Sequence, residues 1–139
     1  MTSVGSRSLW TAFTATVVGF TALLVGCASL GPLTPVPVSE VKSVAGAWKG
    51  VVYESSSEPD YITLTIQEDG SYEVVSRKML GASRGKGQIV IRDGRLILQG
   101  QKGRGVGTLL SSADGARVMR IEATLSDNSI LTAELGPSR

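Results

Sequence analysis

A chain of 139 residues with 14 basic and 12 acidic side chains carries a formal charge of only +2, too little to argue for nucleic acid as a partner. It has no histidine and one cysteine, Cys27, which excludes Ser-His and Cys-His nucleophile pairs, histidine bases, soft or borderline metal sites and disulfides. Carboxylates are the remaining catalytic route, and the inventory reads as that of a non-enzymatic protein without a bound metal.

In chain order, the first feature is residues 9–25, the only long apolar run, preceded by Arg7 and closed by Gly26 and Cys27. A basic start, an apolar stretch and a small residue before the break are the parts of a signal peptide. Read as an uncleaved membrane helix, the run sits at the lower edge of a span and is diluted by Thr11, Thr14, Thr16 and Thr21. Leu24-Val25-Gly26-Cys27 resembles the lipobox of bacterial lipoproteins. The resemblance implies residues 1–26 as signal peptide, cleavage before Cys27, and a covalent lipid on Cys27 (diacylglycerol on sulfur, an acyl chain such as palmitate on the amine), with no other cofactor. It also implies a bacterial envelope protein held to a membrane by its N-terminal lipid. Because Ala28 and Ser29 follow, and not Asp, the implied address is the outer membrane, or the cell surface where there is none.

Residues 27–43 read as the acylated cysteine and a Pro-rich tether, and residues 44–139 as one small domain. Pro32, Pro35 and Pro37 bar a helix and favour an extended path. Ser39 is placed to cap one short turn through Val44. From Ala45 the pattern has period two. Residues 61–67 alternate strictly, with Ile62, Leu64 and Ile66 on one face. Glu68-Asp69-Gly70-Ser71 is a tight-turn signal, after which Tyr72 and Val74 resume the inward face. The next pair repeats the design, with Ile89 and Ile91 inward, Asp93-Gly94 as turn, and Leu96 and Leu98 inward. A third pair spans 105–111 and 116–125 around Asp114-Gly115. The last strand is 130–135, after Ser126-Asp127-Asn128-Ser129. With 45–53 as the first, the prediction is all-β: an eight-stranded antiparallel meander barrel, with a two-sheet β-sandwich as the alternative.

In a meander, successive connections fall at alternate ends. Turns 68–71, 92–95 and 112–115 share one end and are tight. Loops 54–60, 78–86 and 100–104 share the other and read as longer. The tether enters at the tight end, so a closed base faces the membrane and a loop-rich mouth faces away. Gly46-Ala47-Trp48, at the head of the first strand, is similar to the G-x-W that opens lipocalins and related calycin barrels. That resemblance implies a lipocalin-like barrel, Trp48 at its base, and a mouth that admits a small, usually apolar, ligand. No T-D-Y motif follows, and no arginine on the last strand is assured to cover Trp48; Arg120 reaches it only from the neighbouring strand. Ile, Leu and Met dominate the inward positions, and with strands this short the expected interior is filled.

Charge is uneven along the chain. From 77 to 104, Arg77, Lys78, Arg84, Lys86, Arg92, Arg95, Lys102 and Arg104 stand against Asp93 alone. The meander places Arg77, Lys78, Arg84, Lys86, Lys102 and Arg104 at the mouth, a candidate binding rim for an anionic envelope component or protein. Glu54, Glu58 and Asp60 share a mouth loop, where Glu58-Pro59-Asp60 reads as a solvated turn. The run from Gly81 to Gly87 looks like a phosphate loop but lacks its spacing and its Ser or Thr. Gly103-Arg104-Gly105-Val106-Gly107 reads as a bend or bulge. The functional reading is a non-enzymatic envelope lipoprotein whose barrel is a binding or interaction module. The alternatives are a lipocalin-like carrier of a small apolar ligand and an inhibitor of a cell-wall hydrolase, although such inhibitors generally rely on a disulfide that this chain cannot form.

Overall fold

The computed structural model describes residues 31–53, 59–78 and 81–139; the signal-peptide region with Cys27, and Glu54 and Glu58, lie outside the described residues. The elements are β1 (Thr34–Val36), a 3-10 helix (Val41–Val44), β2 (Gly46–Tyr53), β3 (Pro59–Ile66), β4 (Ser71–Lys78), β5 (Gly81–Arg92), β6 (Arg95–Gly100), β7 (Gly103–Ser111), β8 (Arg117–Leu125) and β9 (Ile130–Pro137). Strands β2 to β9 pair in sequence order, all antiparallel. Strand β9 returns to β2 through Trp48↔Pro137, Lys49↔Gly136 and Gly50↔Leu135. The fold is thus an all-β, eight-stranded antiparallel meander barrel of lipocalin-like shape, as the alternation predicts. The two-sheet sandwich does not form, because the β9–β2 seam closes the sheet and leaves no edge between those strands.

Alternation sets the faces. Ile62, Leu64 and Ile66 are buried inside the barrel while Tyr61 stands out in solvent. At the predicted turn between β5 and β6, Asp93 and Gly94 both take positive φ, 52° and 73°, the conformation of a two-residue hairpin whose twist matches its strands. Two other turns use an aspartate whose Oδ1 accepts the backbone N–H two residues on, Ser71 on Asp69 and Ser129 on Asp127, each at 2.9 Å.

The mouth is less loop-rich than expected. Lys78 at the end of β4 pairs with Gly81 at the start of β5, and the ladder continues without a break to Ser71↔Gln88. Most of 78–86 is therefore strand. Gly100 likewise pairs with Gly103, so 100–104 is a tight hairpin around Gln101 and Lys102. Low strand propensity in a run of Gly, Ser, Arg and Lys is overridden by pairing with β4. Pro59 and Asp60 begin β3, and Asp60 is 6% exposed and receives the Ser76 hydroxyl at 2.6 Å. It is not part of a solvated turn.

The tether also differs from the expectation. Residues 34–44 belong to the barrel body. Strand β6 pairs with β7 only up to Gly107, and β1 fills the remaining edge through Thr34↔Ser111, Pro35↔Leu110 and Val36↔Leu109. A proline fits there because its missing N–H faces away from the ladder on an edge strand. The chain then crosses the β5–β6 turn, where the Val38 N–H donates to the Gly94 carbonyl at 2.8 Å, and buries Val38 and Val44. The short turn is real but begins after Glu40, without a side-chain cap; Ser39 does not cap it, and the Ser43 hydroxyl donates to the Glu40 carbonyl.

Candidate functional site

Inward-facing residues divide the barrel into two halves. Toward the base, Val44, Ile66, Leu96, Met119 and Leu135 are among the largest fully buried side chains. Trp48, 2% exposed, stands among them, and its indole N–H donates to the Val44 carbonyl at 2.9 Å. The Arg117 guanidinium lies 5.5 Å from the Trp48 ring centroid, and its Nη2 donates to the Ser43 carbonyl at 3.0 Å. Trp48 is therefore a buried anchor of the base core. The arginine that covers it is Arg117; Arg120 points outward and pairs with Glu134 at 2.7 Å. Strand alternation decides this, since Val118 and Arg120 share the outer face of β8 while the flexible Arg117 sits at the strand's base end.

Toward the mouth the interior is hollow, which corrects the expectation of a filled core. A cavity of about 120 Å³ opens between the mouth hairpins. Its walls are mostly apolar: Ile62, Leu64, Val74, Leu98, Ile121, Ala123, Leu125, Leu131 and Ala133. Gly85, Gly103 and Gly105 face inward along its wall, where β-carbons would press on Val74 and on the β8 backbone. Tyr72 lies at the cavity's edge against Gly87 and Gly100, where any β-carbon would collide with its ring or hydroxyl. Burial pushes the Tyr72 phenol up from its usual range.

The sequence-predicted rim separates into two groups. Of its cations, only Lys102 is brought over the cavity; Lys86 and Arg104 adjoin it, but strand alternation turns their side chains to the outer face, opposite Glu73 and Gln99. The stem of Lys102 folds over the opening, its Cδ 3.9 Å from where a β-carbon of Gly85 would lie. The mouth hairpins are tied together by a hydrogen bond from the Ser126 N–H to the Lys102 carbonyl at 3.0 Å. Arg77, Lys78 and Arg84 do not line the cavity. Arg77 faces outward beside Tyr61, Arg84 lies 3.7 Å from Glu73 on the outer wall, and Lys78 ends β4 at the lip. The Arg84–Glu73 contact is too exposed to add much stability.

The inward glycines are the residues missed from the sequence as site-forming. Gly85 and Gly87, and Gly103, Gly105 and Gly107, recur at period two, which places each set on one face of a strand. Here the spacing marks close strand approach: a β-carbon at Gly103 would collide with the Thr124 carbonyl oxygen, and one at Gly105 would lie 3.0 Å from that of Glu122. Among the described residues, no group of three or more His, Cys, Asp or Glu side chains comes together to hold a metal, and no helix is long and apolar enough to cross a membrane. The arrangement is suited to enclosing a small apolar group beneath Lys102. No protein-family model, no curated protein and no solved structure matches the chain. Fold and site define a small β-barrel with an apolar cavity at one end, an arrangement consistent with a binding module.

Proposed function

We propose that this is a non-enzymatic, lipid-anchored protein of the bacterial envelope, attached by Cys27 to the outer membrane, whose barrel binds a small amphipathic ligand through its mouth. The ligand has an apolar body that enters the cavity and an anionic end that meets Lys102. The observation that carries this reading is the apolar cavity of about 120 Å³ with the Lys102 stem folded over its opening. Apolar burial supplies the affinity, and the cation fixes orientation and favours an anionic head over a neutral one. Entry of the chain at the base supports a mouth directed away from the anchoring membrane.

The test is calorimetric titration of the full chain, held in vesicles, with hexanoate and with hexanol. Hexanoate binds more tightly than hexanol, Lys102→Glu removes that preference, and Ala123→Leu abolishes binding of both. Absence of binding, or binding that survives Ala123→Leu, refutes the cavity as the site.

A further inference from the structure

The outer wall of β5, β6 and β7 carries a feature unrelated to the cavity. Val90, Ile97 and Val106 lie opposite one another on three adjacent strands and all face outward. Val90 is 49% exposed, and Ile97 and Val106 are half-buried. One pair nearer the base, Arg92 stands directly opposite Arg95, and both are exposed. Like charges placed opposite each other destabilise a sheet unless something outside compensates. Among the described residues neither arginine has a hydrogen-bond or ion-pair partner. Asp93 lies in the turn between them and Glu122 stands beyond Val106. An apolar row beside a pair of cations on a solvent-facing wall has the composition of a surface that rests on anionic lipid.

The chain's own path selects that occupant. Strand β1 runs along the base end of β7. Pro37 packs on Gly94 at the hairpin tip, where an added β-carbon would meet the proline ring at 2.9 Å. Residues preceding Thr34 therefore leave from the base at Ser111, past the hairpin that carries Arg92 and Arg95. From Thr34 back to Cys27 the chain reaches about 20 Å when extended, at ~3.3 Å per residue. The apolar run 9–25 lies just before Cys27. A leash this short, fixed to the barrel by β1, holds this wall near the bilayer.

We infer that the wall formed by Val90, Ile97 and Val106, with Arg92 and Arg95, docks on the anionic lipid headgroups of the membrane that carries the anchor. This rests on the lipid-anchor reading; it adds that the barrel has one fixed face toward the bilayer. Docking inclines the barrel and leaves the β9–β2 side, across the barrel from β5 and β6, in water. The apolar row contacts the headgroup–acyl boundary while the guanidinium groups pair with phosphates.

The experiment uses the full chain in phosphatidylcholine vesicles with and without phosphatidylglycerol. A fluorophore is placed through Val90→Cys, or through Thr132→Cys on the outer face of β9, and is quenched by a headgroup nitroxide lipid. With phosphatidylglycerol present, the label at 90 is quenched far more than the label at 132. Arg92→Glu with Arg95→Glu lowers the docked-to-undocked ratio by about tenfold or more. Equal quenching at the two sites overturns the proposal, as does quenching indifferent to the double charge reversal. Burial of the label at 90 by a second copy in detergent, without lipid, also overturns it. If the chain without an added cysteine takes the thiol label and does not float with vesicles, the anchor reading itself fails, and docking fails with it. Anchored, floating protein with an unquenched label at 90 fails the docking alone.

Discussion

The base and the mouth of this barrel are built from the same eight strands but obey different demands. At the base every inward position carries a large side chain or is closed by one: Val44, Trp48, Leu96, Met119 and Leu135 interlock, and Arg117 stacks over the indole. At the mouth the inward positions of β5 and β7 are glycines and the cavity is lined by the branched side chains opposite them. The first region maximises burial, and the second gives up burial for space. A chain of this size has little stability to spare, so the close packing of the base weighs heavily in it.

Substitutions at the two ends separate these roles. The largest effect is expected at the base. Trp48→Ala removes a buried indole and leaves the Val44 carbonyl without its donor, so stability measured by denaturant and circular dichroism falls by about 3–5 kcal/mol. Loss below about 1 kcal/mol would mean that the base is not the stabilising half. Next comes Val38→Ala, in the segment that crosses from β1 to the helix. Its side chain is 3% exposed, and truncation costs about 1.5–3 kcal/mol. No effect there would return residues 34–44 to the status of a free tether. At the mouth the sign reverses. Ala123→Leu fills space beside Gly105 and raises stability by about 0.5–2 kcal/mol in the absence of ligand. A loss comparable to that of Trp48→Ala would show that the mouth is already packed.

The smallest effect is an acid limb shared by both ends. Hydrogen bonds from serine hydroxyls, then from backbone N–H groups, hold Asp69, Asp114 and Asp127 below the usual carboxylate range. A carboxyl group lowered in the folded state contributes stability above its ordinary value and loses it as pH falls through the depressed one. Unfolding midpoints therefore drop only at strongly acidic pH. Asp127→Asn flattens that limb slightly, and an unchanged limb in the combined Asp69, Asp114 and Asp127 asparagine variant would remove this cause.

Much of this division was legible in the sequence, for physical reasons. Period-two patterning in 61–67 fixes the inward face wherever one side of a strand meets water, so the core residues of β3 follow directly. Asp93-Gly94 names its own turn because few other pairs accept two positive φ values. What stayed hidden depends on pairing across the sheet. The strand character of residues 81–86 comes from β4, and β1 exists only because β6 is too short to cover β7. The alternate glycines were visible, but their cause was not, because a glycine signals flexibility and close approach alike. Only the register shows that close approach is their effect here, since a β-carbon at Gly103 would collide with the Thr124 carbonyl oxygen and one at Gly85 would press on Val74.

The most direct measurement compares methyl groups in the two halves. Chains with carbon-13-labelled alanine and methionine methyls are titrated with hexanoate and followed by NMR. The account predicts shifts for Ala123 and Ala133, which line the cavity, and none for Met119, buried in the base core. No shift at either alanine, or equal shifts at all three positions, would contradict a barrel that is solid at one end and receptive at the other.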